Sequence, residues 1–242
     1  MNRNILNYDA IKYFITNNGE TGKVPYRWTH GATDLHMGDG LLIYSIVQFY
    51  KSKTCVCLGS GGGFIPRIIS QARQDLHKDG TFTGDDKYDY GDIGSTYIVD
   101  AMNGINGEVD WEDKDSFLNI NFWPQVIKET TEDAYYNFFV KREMKIDYLH
   151  IDADHTLEGV KKDFELYSNI ISENGIITIH DTDKNYVDNF SEVENHKGDD
   201  LSGPSEFIKT IDKRKFEVFN FFNHGIIKDK PSSTGLTIVR KK

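Results

Sequence analysis

Cysteine is almost missing: Cys55 and Cys57 are the only two in 242 residues. They lie two apart in a predicted strand, so both side chains leave the same face. With no further ligands nearby they read as small buried hydrophobes rather than a disulfide or a zinc pair. No run of 18 apolar residues is available to span a bilayer, and the opening MNRNILNYDAIKYFITNN has no apolar core of a signal peptide. A cytoplasmic protein with no membrane partner is therefore expected. Positive charge is also short. The 28 Lys and Arg face 38 Asp and Glu, and a net charge of -10 disfavours a phosphate-tracking surface, so nucleic acid is not an expected partner. There is no internal repeat, low-complexity tract or long composition break to divide the chain. What is present, 38% hydrophobic and 13% aromatic residues, suits a soluble globular core and argues against disorder.

Strand-like and helix-like stretches alternate along the chain. Gly38 to Tyr50 has apolar residues at helical spacing, and Thr54 to Leu58 is a β-type run. Gly59-Ser60-Gly61-Gly62-Gly63 follows, then a helix with Phe64, Ile65, Ile68, Ile69 and Ala72 on its apolar side and Pro66 in its first turn. Thr96 to Val99, Gln125 to Lys128, Ile146 to Ile151 and Ile176 to Ile179 are further strands. A helix carrying Leu157, Val160, Phe164, Tyr167, Ile170 and Ile171 is expected to end at Asn174-Gly175. Pro204 to Ile211 reads as a helix, and Phe216 to Phe222 and Thr234 to Arg240 as closing strands. This order predicts an α/β fold, a Rossmann-like three-layer sandwich in which ligands sit at the carboxyl ends of the strands. Residues 1–37 are expected to form a cap or lid, and residues 38–242 the functional domain.

Charge collects at those strand ends. Ile146 to Asp154 closes in Asp152 and Asp154, with His155 next, and the following strand closes in His180-Asp181. Such charge at the end of a buried strand is costly unless it is used. The glycine loop allows close backbone approach to a ligand, but it lacks both the dinucleotide fingerprint, since Phe64 occupies its third glycine position, and the Gly-Lys-Ser/Thr of a phosphate loop. That spacing suits a nucleoside without a pyrophosphate. Asp100, at the end of the next strand, is placed to accept from ribose hydroxyls or to cap a turn.

Gly59 to Gly63, Asp100, YLHIDADHTLEGVKKDFELY and GIITIHD together resemble a class I S-adenosylmethionine-dependent methyltransferase. The resemblance is to the small-molecule and sugar O-methyltransferases of the cephalosporin-hydroxylase-like and macrolide-sugar group, and it covers roughly Gly38 to Arg240. It implies a seven-stranded, mostly parallel sheet with an antiparallel last strand, and S-adenosyl-L-methionine as cofactor. The acceptor would be a sugar or other small metabolite in carbohydrate biosynthesis. It implies cofactor contacts from Gly59, Ser60, Gly61, Gly63, Asp100, Thr131 and Asp152, with His155 and Asp152 catalytic and His155 the general base. An Mg²⁺ ion, an optional helper, would be held by Asp152, Asp181 and His180, although an imidazole ligand points to a softer ion. Cys57 departs from the resembled pattern, which has an acid there. The alternative is a nucleoside- or S-adenosylmethionine-binding protein of the same fold without catalysis. A homo-oligomer is left open. Specificity is expected in residues 1–37, 79–94, 108–124 and 183–203, while Asp154 is expected to cap the helix that starts near Thr156.

Overall fold

The computed structural model describes residues 30, 37–78, 95–104, 113, 124–184, 202–222, 226–227, 230–231 and 234–242. The expected helix around Ile11 to Ile15, the 79–94 insertion and most of the segments 108–124 and 183–203 lie outside the described residues.

Helix α1 (Asp39–Tyr50) precedes strand β1 (Cys55–Leu58), and the glycine loop leads from β1 into α2 (Phe64–Lys78). Strands β2 (Thr96–Val99) and β3 (Gln125–Ile127) follow, then a short α3 (Thr131–Ala134) that widens into a π-helical turn, Tyr135–Val140. Thr130 caps α3 by accepting from the Asp133 amide. Strand β4 (Ile146–Ile151) leads to α4 (Leu157–Tyr167), β5 (Ile171–His180) and α5 (Gly203–Phe207). The chain closes with β6 (Phe216–Phe221), a minor pair β7 (Ile226–Ile227) and β8 (Lys230–Pro231), and β9 (Leu236–Lys241).

The main sheet has seven strands in the order β3-β2-β1-β4-β5-β9-β6, with β9 antiparallel to both neighbours and the β1 to β5 pairings parallel. Side chains alternate across a strand, so each strand feeds two cores. Cys55, Cys57, Ile98 and Tyr148 face α1 and α2, while Val56, Leu58, Val99, Leu149 and Ile151 face α3, α4 and α5. This is the expected three-layer sandwich with its antiparallel last strand. No helix among the described residues is long and apolar enough to cross a membrane.

The helix expected over Pro204 to Ile211 already ends at Phe207, and a second boundary differs more from the sequence reading. Helix α4 ends at Tyr167, and Ile171 already belongs to β5, paired with Ile146. Asn174-Gly175 is thus a feature inside a strand rather than a helix stop. The register shifts between Ile146 and Tyr148, and a Cβ on Gly175 would stand 2.6 Å from Ile171 Cγ2 and 2.9 Å from the Ile146 carbonyl oxygen. Glycine here permits an irregularity in the ladder, a use that shares its sequence signature with a helix C-cap.

Behind the sheet, α4 carries a buried acid. Thr131 Oγ1 donates to Asp163 Oδ1 at 2.5 Å, while Asp163 Oδ2 has no partner. Burial pushes this carboxyl up from 3.8 to about 6. A folded-state pKa above the unfolded one favours the neutral acid, so stability falls as pH rises through the range from about 4 to about 6. The loss at pH 7 is about 3 kcal/mol. Asp163→Asn is therefore expected to raise the unfolding temperature at pH 7.5 and to leave it nearly unchanged at pH 4. Thermal unfolding at both pH values checks this, and a variant less stable at pH 7.5 would contradict it.

Candidate active site

Strand register positions the site. Leu58 pairs with Val99 on one side and Ile151 on the other, and Ile151 pairs with Ile179. The next residues of these strands, Gly59, Asp100, Asp152 and His180, therefore stand in a row along one edge of the sheet. Alternation also aims Tyr148, His150 and Asp152, and Thr178 and His180, toward the α1 and α2 side.

Asp152 is at the centre of the row. Its Oδ1 lies 3.1 Å from His155 Nε2 and 3.2 Å from His180 Nδ1. Its Oδ2 lies 3.7 Å from His30 Nε2 and 4.0 Å from His150 Nε2. Asp181 contacts the same two imidazoles, Oδ2 at 3.1 Å from His155 Nε2 and Oδ1 at 3.1 Å from His180 Nδ1. His180 Nε2 faces the opposite way, 2.8 Å from His30 Nδ1, 2.7 Å from Thr234 Oγ1 and 3.5 Å from Asp39 Oδ2.

Local structure fixes these groups. Asp181 takes a left-handed backbone, φ 55, which turns its carboxylate back toward the histidines. Aspartate tolerates that conformation better than most residues, at a cost of roughly 1 kcal/mol. Asp154 Oδ1 accepts from the Thr156 amide, and Thr156 itself caps α4 by accepting from Gly159 N at 3.0 Å. Asp154 thus shapes the turn before the cap and takes no part in the cluster. The His155 carbonyl accepts from Gly203 N, and a Cβ on Gly203 would stand 2.3 Å from that oxygen, so the start of α5 rests directly on the His155 backbone.

Burial alone would raise the Asp152 and Asp181 carboxyls, but the positive charge of His180 and the bonds from His155 and His180 hold both well below the usual carboxylate range. Burial would likewise lower His155, yet its bonds to Asp152 and Asp181 push it up to about 10. His180 is raised well above its ordinary value, burial being outweighed by the charges of Asp181 and Asp152. Burial lowers His30 to about 4, with His180 adding to the effect, and lowers His150 to about 3. At neutral pH these shifts leave Asp152 and Asp181 as carboxylates, His155 and His180 as imidazolium ions, and His30 and His150 as neutral imidazoles. His155 does not titrate near neutrality in this arrangement.

The glycine loop lies beside this cluster. Gly59 has φ 77, and a Cβ there would be 2.0 Å from the Asp152 carbonyl oxygen, so this glycine is what allows the chain leaving β1 to pass directly against the end of β4. Gly61, at φ 51, is different, because an added Cβ would meet nothing within 4 Å. The space above Gly61 is open, and a side chain there would enter it. Asp100 borders it, with Oδ2 accepting from Ser60 N and Ser60 Oγ and Oδ1 accepting from Met102 N at 2.8 Å. Cys57 Sγ contacts the Gly59 carbonyl at 3.0 Å and is fully buried, so nothing acidic stands at that point of the loop.

The family profile described as a methyltransferase domain matches residues 56–182, the span from β1 and the glycine loop through Asp152 to Thr182. The chain belongs to this methyltransferase family. The search of curated proteins finds no match. Among solved structures, the methyltransferase is similar to an O-methyltransferase from Bacillus cereus in complex with SAH, at 12% identity and a TM-score of 0.63, covering 97% of this chain and 91% of that one. It is also similar to an O-methyltransferase involved in tomaymycin synthesis from Streptomyces achromogenes, in complex with SAM. The identity is 10% and the TM-score 0.61, with 97% and 90% of the two chains covered. A methyltransferase from Podospora anserina, SAH-bound, matches at 15% identity and a TM-score of 0.58, covering 97% of this chain and 88% of that one. At these identities the solved structures establish a shared fold.

Of the candidate residues, the methyltransferase brings Asp152, His155, His180 and Asp181 into mutual contact and sets Gly59, Ser60, Gly61, Gly63 and Asp100 along the adjoining loop. Thr131 stands apart, since its hydroxyl serves Asp163 and its carbonyl accepts from Tyr167 Oη at 2.8 Å. Its side chain joins α3 to α4 and is not presented toward the edge. Sequence reasoning passed over Asp39 and His150, and it read His30 as a lone loop histidine near a possible lid. His150 carried a usable signal, because two residues before Asp152 in a strand means the same face. His30 and Asp39 reach the edge through tertiary packing alone.

Proposed function

We propose that the enzyme transfers a methyl group from S-adenosylmethionine to a hydroxyl of a small metabolite, with a sugar or sugar-containing molecule as the expected acceptor. The observation that carries this is the row of strand ends, in which the glycine loop packs against Asp152 at Gly59, leaves open space above Gly61, and adjoins the His155–Asp181 pair through Asp152. SAM and SAH in the similarly folded enzymes support the choice of cofactor. The sugar acceptor rests on the likeness of YLHIDADHTLEG and GIITIHD to the sugar O-methyltransferases. The dense charge at the edge speaks against a binding-only protein, which would lose nothing by replacing it with apolar side chains.

In this reading the acceptor oxygen attacks the methyl carbon in line with the departing sulfur. The carbon–sulfur bond breaks, sulfur keeps the electron pair, and the hydroxyl proton passes to a base. His155 takes that role. Its Nε2–H is held by both carboxylates, so Nδ1 is the nitrogen available to the acceptor. Because His155 is pushed up to about 10, its basic form is scarce at neutral pH. Turnover at low acceptor concentration is thus expected to climb roughly tenfold per pH unit between pH 7 and 9. A profile already flat at pH 7 would remove His155 from the role.

Mg²⁺ fits this edge poorly. Of the two metal-competent groups among the described residues, the one holding both strand-end carboxylates is Asp152, His155 and Asp181, two oxygen donors and one nitrogen. Thr182, which neighbours Asp181, receives a hydrogen bond from Thr237 Oγ1 at 2.9 Å within the core. Magnesium demands oxygen ligands, and His155 sits between the two carboxylates that would otherwise supply them. Calorimetry with S-adenosylmethionine and a methyl-transfer assay against sugar-type acceptors test the proposal. Failure to bind the cofactor would refute it.

A further inference from the structure

We propose that His30, Asp39 and His180 form a binding site for a divalent transition ion of the zinc type, on the α1 side of the catalytic edge. This goes beyond methyl transfer and does not depend on it. The donor atoms of these three residues all lie within 4.8 Å of one another. His30 Nδ1 and His180 Nε2 are 2.8 Å apart, and Asp39 Oδ2 is 3.5 Å from His180 Nε2. Two imidazole nitrogens and a carboxylate oxygen are the donor set that borderline ions select and magnesium avoids. Tetrahedral ligands about 2.05 Å from a zinc ion stand roughly 3.3 Å from each other. Opening the His30–His180 pair by roughly half an ångström therefore makes room, and the ion replaces the proton those nitrogens now share.

The surroundings are those of a built site. The side chains of His30, Asp39 and His180 are only 9%, 6% and 6% exposed. The Asp39 amide donates to the His30 carbonyl at 3.1 Å, which ties the loop ligand to the helix ligand, and the His30 ring stacks on Phe64 with centroids 6.3 Å apart. His180 is oriented through its other nitrogen by Asp152 and Asp181, the carboxylate–histidine pairing usual behind metal-bound imidazoles. His180 Nε2 also contacts Thr234 Oγ1, which remains as a hydroxyl neighbour of the ion.

An independent observation comes from His150. Its Nδ1 lies 2.9 Å from Thr178 Oγ1, and the Thr178 hydroxyl is within reach of the Leu149 carbonyl at 3.3 Å. When that hydroxyl donates to the carbonyl, His150 Nδ1 carries the proton and Nε2 is a bare lone pair. Nε2 is fully buried and has no hydrogen-bond partner, and the ring centroid lies 6.2 Å from those of both His30 and His180. A lone pair buried beside two more imidazoles and two carboxylates lacks a cation or a cation-bound water.

The test is a titration of the chelator-treated, dialysed chain with Co²⁺, whose visible absorption reports nitrogen and carboxylate ligation, followed by displacement with Zn²⁺. A ligand-field band saturating at a single ion per chain is expected, together with an unfolding temperature that rises with Zn²⁺ and not with Mg²⁺. His30→Gln, which removes a ligand, should weaken Co²⁺ binding by about 100-fold or more, whereas Asp181→Asn, which leaves Asp152 on His180 Nδ1, should retain the band with affinity lowered by about tenfold. Absence of any band in the wild-type chain overturns the proposal. So does a band undiminished in His30→Gln but lost in Asp181→Asn, which would place the ion at the Asp152–Asp181 carboxylates. Calorimetry with S-adenosylmethionine on the metal-free chain is a separate readout, so failure of the metal site and failure of the methyl-transfer reading are distinguishable.

Discussion

Gly61→Asn is expected to remove S-adenosylmethionine binding while leaving the fold in place, and Gly59→Ala is expected to lower the stability of the fold. Both glycines have positive φ, but they are needed for different reasons. Asparagine tolerates the left-handed backbone of Gly61, and a side chain there enters open space, so little strain accompanies the change. That space is where the cofactor would lie, and filling it should weaken binding by about 100-fold or more. At Gly59 the added methyl group collides with the Asp152 carbonyl, 2.0 Å away, where two strands meet. Overpacking and left-handed strain together should cost about 3 kcal/mol or more. Calorimetry and thermal unfolding of the two variants separate the effects. Unchanged cofactor affinity in Gly61→Asn would disprove the assignment of the loop.

Asp152→Asn and Asp181→Asn are each expected to reduce turnover by about a thousandfold, the scale of losing a positioned acid–base partner. Each carboxylate binds both His155 and His180, so neither can cover fully for the other. The stability effect has a definite sign. His155 is raised from 6.5 to about 10, so its pairing with the carboxylates stabilises the fold fully below pH 6.5 and fades as pH climbs through 10. Asp152→Asn should therefore cost more stability at pH 6.5 than at pH 10. Steady-state rates and unfolding at both pH values check this, and a variant with wild-type turnover would remove Asp152 from the reaction.

The sheet was legible in the sequence because its strands are short β-type runs closed by turn residues or acids, and these signals are local. Asp152, His155, His180 and Asp181 could be picked out for the same reason, since charge directly after a buried strand is visible without any partner in view. The misreading at Asn174-Gly175 shows the limit. That pair can stop a helix or sit in a bulged strand, and only the pairing of Ile171 with Ile146 decides between them. His30 and Asp39 mark another limit, because the contact between His30 and His180 spans 150 residues and nothing near either position announces it. Asp163 gives no local signal either, since an acid within a helix is ordinarily solvated, yet it is 2% exposed and faces Thr131.

The common register of Leu58, Val99, Ile151 and Ile179 has an evolutionary consequence. Each reactive group is indexed by counting along its strand, so a single inserted residue inside β4 would turn His150 and Asp152 to the opposite face of the sheet and dismantle the centre. Insertions after the strand ends face no such arithmetic. The fold therefore divides its own mutational freedom, rigid in strand length and permissive in the loops, and new acceptors can be acquired through loop changes without disturbing the catalytic row.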